Sequence, residues 1–82
     1  MLTFDLAMNE AEILKKFGEK LRALRKEKGL SMQTLANMAE IELSQVYRIE
    51  TAKINPKLLT IVKLAKALKV NPIEIISSLP ID

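Results

Sequence analysis

The chain has 82 residues, 49% hydrophobic and 28% charged, with a formal net charge of +3, the balance of one small folded domain rather than of a disordered tail. It contains no cysteine and no histidine, which excludes disulfides, thiolate or imidazole metal sites and the commonest general base, so no metal, no cofactor and no enzymatic activity are expected. No run of about 18 apolar residues is present, and MLTFDLAMNE lacks the basic start and cleavage site of a secretory signal, so no membrane segment is expected and the expected compartment is the cytoplasm.

Phe4, Phe17 and Tyr47 are the only aromatic residues, so the core must come from Leu, Ile, Val, Met and Ala, which favours an all-α fold. Residues 1–8 alternate apolar Leu2, Phe4 and Leu6 with Thr3, Asp5 and Ala7. They read as a short strand or as an arm, and a lone strand needs a partner. Asn9 and Glu12 make a capping box, and Ile13, Leu14, Phe17, Leu21 and Leu24 recur at helical steps. A first helix is therefore expected over 10–28, closed by Gly29, with Leu30 packed back on it. Ser31 caps a second helix whose inner face is Leu35, Ala36 and Ala39. After the turn Glu40-Ile41-Glu42, a third helix over 43–51 turns Val46 and Ile49 inward. Small Ala36 at the crossing and branched Ile41, Val46 and Ile49 in the wedge make a helix-turn-helix, whose second helix can enter the DNA major groove.

Asn55-Pro56 stops any helix before it. A fourth helix is expected over 58–68, with Leu58, Ile61, Val62, Ala65 and Leu68 as its apolar face. Asn71 and Pro72 open a last one, made apolar by Ile73, Ile75, Ile76 and Leu79. The expected organisation is an arm (1–8), one five-helix domain (9–79) and a short tail (80–82).

Charge is unevenly spread. Residues 15–28 carry a net +5 and residues 51–69 another +5, whereas residues 29–50 carry −2. If the chain binds DNA, much of the phosphate attraction must come from the segments flanking the helix-turn-helix.

The segments LRALRKEKGLS (21–31), LANMA (35–39), RIE (48–50), INP (54–56) and LAKALKV (64–70) carry a resemblance that covers about two thirds of the chain. From Phe17-Gly18 to Pro72 it resembles the lambda-repressor/Cro-like helix-turn-helix domain, the XRE type. The resemblance implies a compact five-helix bundle and a bacterial or phage transcription regulator, usually a homodimer on an inverted-repeat operator. Four departures stand out. Met32 replaces a frequent Gln that donates to a phosphate, a contact that Gln33 would have to supply. Glu40 replaces a common Gly in the turn, Glu42 replaces the usual Ser or Thr cap, and Ala52 replaces a frequent Gly after the third helix.

At 100° per residue, Val46, Ile49 and Glu50 share one side of the third helix. Ser44, Tyr47, Arg48 and Thr51 share the other, with Leu43 and Gln45 at its edges. Leu43, Ser44, Gln45, Tyr47 and Arg48 are therefore the base-reading candidates, and the resemblance points most strongly at Leu43, Ser44 and Arg48. Arg48 can bridge O6 and N7 of guanine or hold a phosphate. Gln45 can pair with adenine or reach a phosphate, and Leu43 can meet a thymine methyl or close the wedge. Gln33, Thr51, Lys53, Asn55 and Lys57 are the phosphate candidates, the last three because lysines beside a helix N-terminus form a phosphate clamp. Lys26 and Lys28 are further candidates. Glu50 lies toward the core, where a lone carboxylate is costly. Arg25 is its expected partner, a structural pair that the resemblance also implies.

The competing reading of the same fold is an antitoxin or adaptor whose main ligand is a partner protein, docked on the apolar last helix and the arm. Homodimerisation is preferred, because one short helix reads too few bases and two-fold pairing doubles them.

Overall fold

The computed structural model describes residues 9–77 and 79, and among them the chain forms five helices and no strand. These are α1 (Glu10–Glu27), α2 (Met32–Ala39), α3 (Leu43–Glu50), α4 (Leu58–Leu68) and α5 (Pro72–Ile76). The expected arm and tail lie outside the described residues. Helices α1 and α3 each stop one residue earlier than their expected ends.

Side chains start three of the helices. Asn9 Oδ1 accepts from the Glu12 amide at 2.9 Å, and Glu12 Oε1 accepts in return from the Asn9 amide at 3.4 Å. Ser31 Oγ accepts from the Thr34 amide at 3.0 Å, and Asn71 Oδ1 from the Ile73 amide at 2.9 Å. Each takes up an N–H that the first turn of a helix leaves without a partner.

One closure, repeated, ends α1 to α4. A residue in the left-handed region follows each helix: Gly29 (φ 72), Glu40 (φ 60), Ala52 (φ 61) and Lys69 (φ 59). The next amide then reaches back to a carbonyl of the last turn: Leu30 to Arg25 at 3.1 Å, Ile41 to Ala36 at 3.0 Å, Lys53 to Arg48 at 2.7 Å and Val70 to Ala65 at 3.0 Å. This is the Schellman closure, in which an apolar residue after the left-handed one packs back on the helix. Leu30, Ile41 and Val70 do so; after α3 the place is held by Lys53, and Ile54 packs on the core instead.

The core joins Phe17, Leu21 and Leu24 of α1, Leu35, Ala36 and Ala39 of α2, Val46 and Ile49 of α3, Leu64, Ala65 and Leu68 of α4, and Ile75 of α5. Helix α3 packs on α1 and α2, α2 also on α4, and α5 on α1 and α4. The expected face of α4 needs correction. Leu58 is 71% exposed, Ile61 and Val62 are half-buried, and Leu64 and Thr60 are inside. Leu64 falls three residues after Ile61 and four before Leu68, away from Lys63 and Lys66, so the helical period itself places it inside, whereas in the first turn packing leaves Leu58 out and takes Thr60 in. On α5, Ile75 is buried, Ile76 is half-buried and Ile73 is 68% exposed.

Helices α1 and α3 meet at Gly18. A Cβ there would lie 2.5 Å from the Ile49 carbonyl oxygen and 2.7 Å from that of Glu50, so only glycine lets the backbones approach this closely. Gly18→Ala is expected to force the crossing open at a cost of about 1–3 kcal/mol and to lower the melting temperature by roughly 5–20 °C. Thermal melting by circular dichroism checks this, and an unchanged midpoint contradicts the close approach.

Candidate nucleic-acid interface

Helix α3 is held from behind. Arg25 Nε donates to Glu50 Oε2 at 2.6 Å and Nη2 donates to Oε1 at 3.0 Å, while Nη1 donates to the Leu30 carbonyl at 2.8 Å. Both side chains are buried. One guanidinium therefore ties α1 to the end of α3 and to the turn leading into α2. Its hydrogen bond with Glu50 raises the Arg25 pKa above the ordinary arginine value; burial opposes that rise and the charge of Glu50 adds to it. A raised cation contributes stability that is complete below its unfolded-state pKa and is lost only as pH rises through the raised one. The arginine therefore stays charged across neutral pH.

With Val46, Ile49 and Glu50 buried, the opposite side of α3 faces solvent. Leu43, Ser44, Tyr47 and Arg48 are exposed there, Tyr47 by 51%, and Gln45 is half-buried at the edge. Thr51, the C-cap, is exposed, but its Oγ1 donates to the Tyr47 carbonyl at 2.7 Å, which commits its proton to its own helix. Gln33, on the first turn of α2, donates through Nε2 to Asn37 Oδ1 at 3.0 Å, which leaves its second amide hydrogen.

Lys53, Asn55 and Lys57 are exposed between α3 and α4. Asn55 borders a shallow groove with Glu10, Ile13 and Leu14 at the start of α1. Lys57 is the N-cap of α4 and supplies no side-chain acceptor. The first amides of α4 thus stand beside a cation, an arrangement suited to an anion.

Two features escaped the sequence reading. One is Gly18, whose role needs a contact from 31 residues further along the chain. The other is the position of Lys15 and Arg22, which line a groove with Thr51 and Ala52 at the end of α3. The charge count of residues 15–28 marked that segment without selecting those two side chains. Of the two departures in the turn, Glu40 takes the left-handed conformation (φ 60, ψ 44) and Glu42 starts α3 from extended backbone without a side-chain cap.

The helix-turn-helix family HTH_3 matches residues 21–75. The chain belongs to this family. It is a DNA-binding helix-turn-helix domain of the transcription-regulator kind. This HTH_3 domain is 45% identical over 58 residues to the HTH-type transcriptional repressor RghR of Bacillus subtilis, which covers 70% of this chain and 43% of RghR. The chain therefore spans less than half of that relative's length. The crystal structure of the restriction-modification controller protein C.AhdI from Aeromonas hydrophila is also 45% identical, with a TM-score of 0.75 over 76% of this chain and 94% of C.AhdI. A hypothetical transcription factor, NHTF from Neisseria, is 26% identical with a TM-score of 0.76, over 83% of this chain and 78% of that one. Among the described residues, no helix is long and apolar enough to cross a membrane.

Removing one member of a buried charge pair leaves the other uncompensated, at a cost of about 3–5 kcal/mol, a large share of the stability of a domain this size. Glu50→Ala is expected to lose DNA binding by unfolding, seen as a melting midpoint at least about 12 °C lower. A wild-type midpoint with binding lost would give Glu50 a contact role instead.

Proposed function

We propose that this domain is a sequence-specific regulator of transcription, a repressor or an autoregulating controller acting in the cytoplasm, which inserts α3 into the major groove as a homodimer on an inverted-repeat operator. The observation that carries this reading is the outward face of α3. Leu43, Ser44, Tyr47 and Arg48 are exposed together, on a helix whose other side is locked into the core by Val46, Ile49 and the Arg25–Glu50 pair. A reading helix must be rigid and must present its N-terminal residues, and α3 meets both needs. The similarity to C.AhdI, which extends over nearly all of that protein, supports the controller form. RghR, named a repressor, supports the other.

In this reading Arg48 bridges O6 and N7 of a guanine, Ser44 and Gln45 donate to bases or phosphates, and Leu43 and Tyr47 pack on thymine methyls. Gln33, Lys53, Asn55 and Lys57 hold the phosphate backbone and set the register, and Thr51 joins them only by releasing the Tyr47 carbonyl to which its hydroxyl donates. Leu58 and Leu59 of α4 and Ile73 of α5 expose apolar surface, at 71%, 71% and 68%, and supply the candidate surface for the second copy. The same surface would serve an antitoxin or adaptor; co-purification of a second chain marks that alternative.

Fluorescence-anisotropy titration of DNA from upstream of the gene, beside scrambled DNA and at several salt concentrations, tests the proposal. Tight, sequence-dependent binding that weakens with salt is expected; equal or negligible binding to both defeats the autoregulating form. Arg48→Ala is expected to relax preference at one guanine of the half-site by about 1–3 kcal/mol, whereas Lys57→Ala should weaken all sequences alike and lower the salt slope by about 1. Arg48→Ala weakening every duplex equally would reassign Arg48 to a phosphate. Ile73→Glu is expected to shift the sedimenting species from dimer to monomer, and a persisting dimer would move the interface elsewhere.

A further inference from the structure

We propose that Glu42 is a specificity-determining residue: its carboxylate accepts a hydrogen bond from the N4 amino group of a cytosine beside the bases reached by Leu43 and Ser44. This rests on the proposed entry of α3 into the major groove. Glu42 is the N-cap of α3, in extended backbone (φ −74, ψ 146), and its side chain makes no capping bond. In contrast, Asn9, Ser31 and Asn71 all cap their helices with side chains. The Glu42 main-chain carbonyl accepts from the Gln45 amide at 3.0 Å and the Val46 amide at 3.3 Å, the bonds any N-cap carbonyl makes, so the side chain is not used in starting α3. The carboxylate is exposed, and the ion pair seen among the described residues, Arg25–Glu50, does not involve it. A charged acceptor therefore stands uncommitted at the end of the helix that leads into the groove.

The chemistry of the groove narrows its target. Guanine shows N7 and O6, both acceptors, and thymine shows O4; a carboxylate is repelled by all of these. Adenine N6–H is flanked by acceptors on both sides, its own N7 and the paired thymine O4, whereas cytosine N4 has one on a single side, the paired guanine O6. Phosphate is repelled as well. The starts of α3 and α4 are both without a side-chain cap, but one carries Glu42 and the other Lys57. The α4 end suits the DNA backbone, and the α3 end is set against it, which leaves a base edge as its favourable partner.

The test is selection from a pool of random-sequence duplexes by the wild type, Glu42→Ala and Glu42→Gln, each checked for a wild-type melt. The wild type is expected to retain one cytosine per half-site. Glu42→Ala should lose selection at that position alone, and Glu42→Gln should broaden it toward adenine, because an amide both accepts and donates. Changing that C·G pair to T·A should weaken the wild type by about tenfold and leave Glu42→Ala nearly unaffected. Unchanged selection in both variants, with every duplex bound more tightly by the same factor, would reduce Glu42 to phosphate repulsion and overturn the proposal. Loss of selection in Ser44→Ala or Arg48→Ala but not in the Glu42 variants overturns it while sparing the groove reading. A wild type that selects no sequence overturns both.

Discussion

The buried pair between Arg25 and Glu50 is the contact on which the geometry of α3 depends. Its two hydrogen bonds run from α1 to the end of α3, and a third from Arg25 reaches the Leu30 carbonyl in the turn before α2, so the two helices of the helix-turn-helix are referred to one guanidinium. Such pairs are a weak source of net stability, since desolvation offsets much of the attraction. Their strength is directional: a planar fork meets a carboxylate in one orientation. Gly18 acts at the same junction by letting the α1 backbone lie against the last carbonyls of α3. A side chain at one place and a missing one at the other set how far and at what angle α3 stands off the core.

The turns show how local strain is balanced by packing. Glu40, Ala52 and Lys69 hold positive φ with a Cβ, at roughly 1–2 kcal/mol each. Fully burying a branched apolar side chain contributes about 1.5–3 kcal/mol, and Ile41 and Val70, each directly after a strained residue, gain a share of that by packing half-buried against the core. The left-handed residue turns the chain so that its neighbour reaches the core, and the amide of that neighbour closes the helix. After α3, Lys53 follows the strained Ala52, so the apolar anchor falls one residue later, on Ile54.

Charge is divided along the chain. The turn and the start of α3 carry Glu40 and Glu42, both exposed, while cations gather on α1 and beyond α3. A uniformly basic face would bind any duplex through its phosphates. In the proposed reading, this distribution lets non-specific attraction act at the flanks and leaves α3 to discriminate, a separation consistent with the role proposed for Glu42.

Most of the local structure was legible in the sequence. The caps Asn9, Ser31 and Asn71, the stop at Gly29, the tight turn after Ala39 and the five helices follow from local propensity and from the 3.6-residue period. The outer face of α3 was legible because Val46 and Ile49 stand three residues apart on one side, with Ser44, Tyr47 and Arg48 on the other, so one rotation buries the branched pair. The rotation of α4 was legible only in part: the period places Leu64 inside with Ile61 and Leu68, away from Lys63 and Lys66, but in the first turn Leu58 stays out and Thr60 goes in, which the packing of neighbouring helices decides. The closeness of α1 to α3 at Gly18 and the left-handed Lys69 were likewise decided by tertiary structure. A glycine shows its role only against the carbonyls it touches, and at Lys69 the packing of Val70 against the core offsets the strain of positive φ. Sequence determined the elements, their order and the face that α3 presents; packing determined how those elements were rotated and how closely they met.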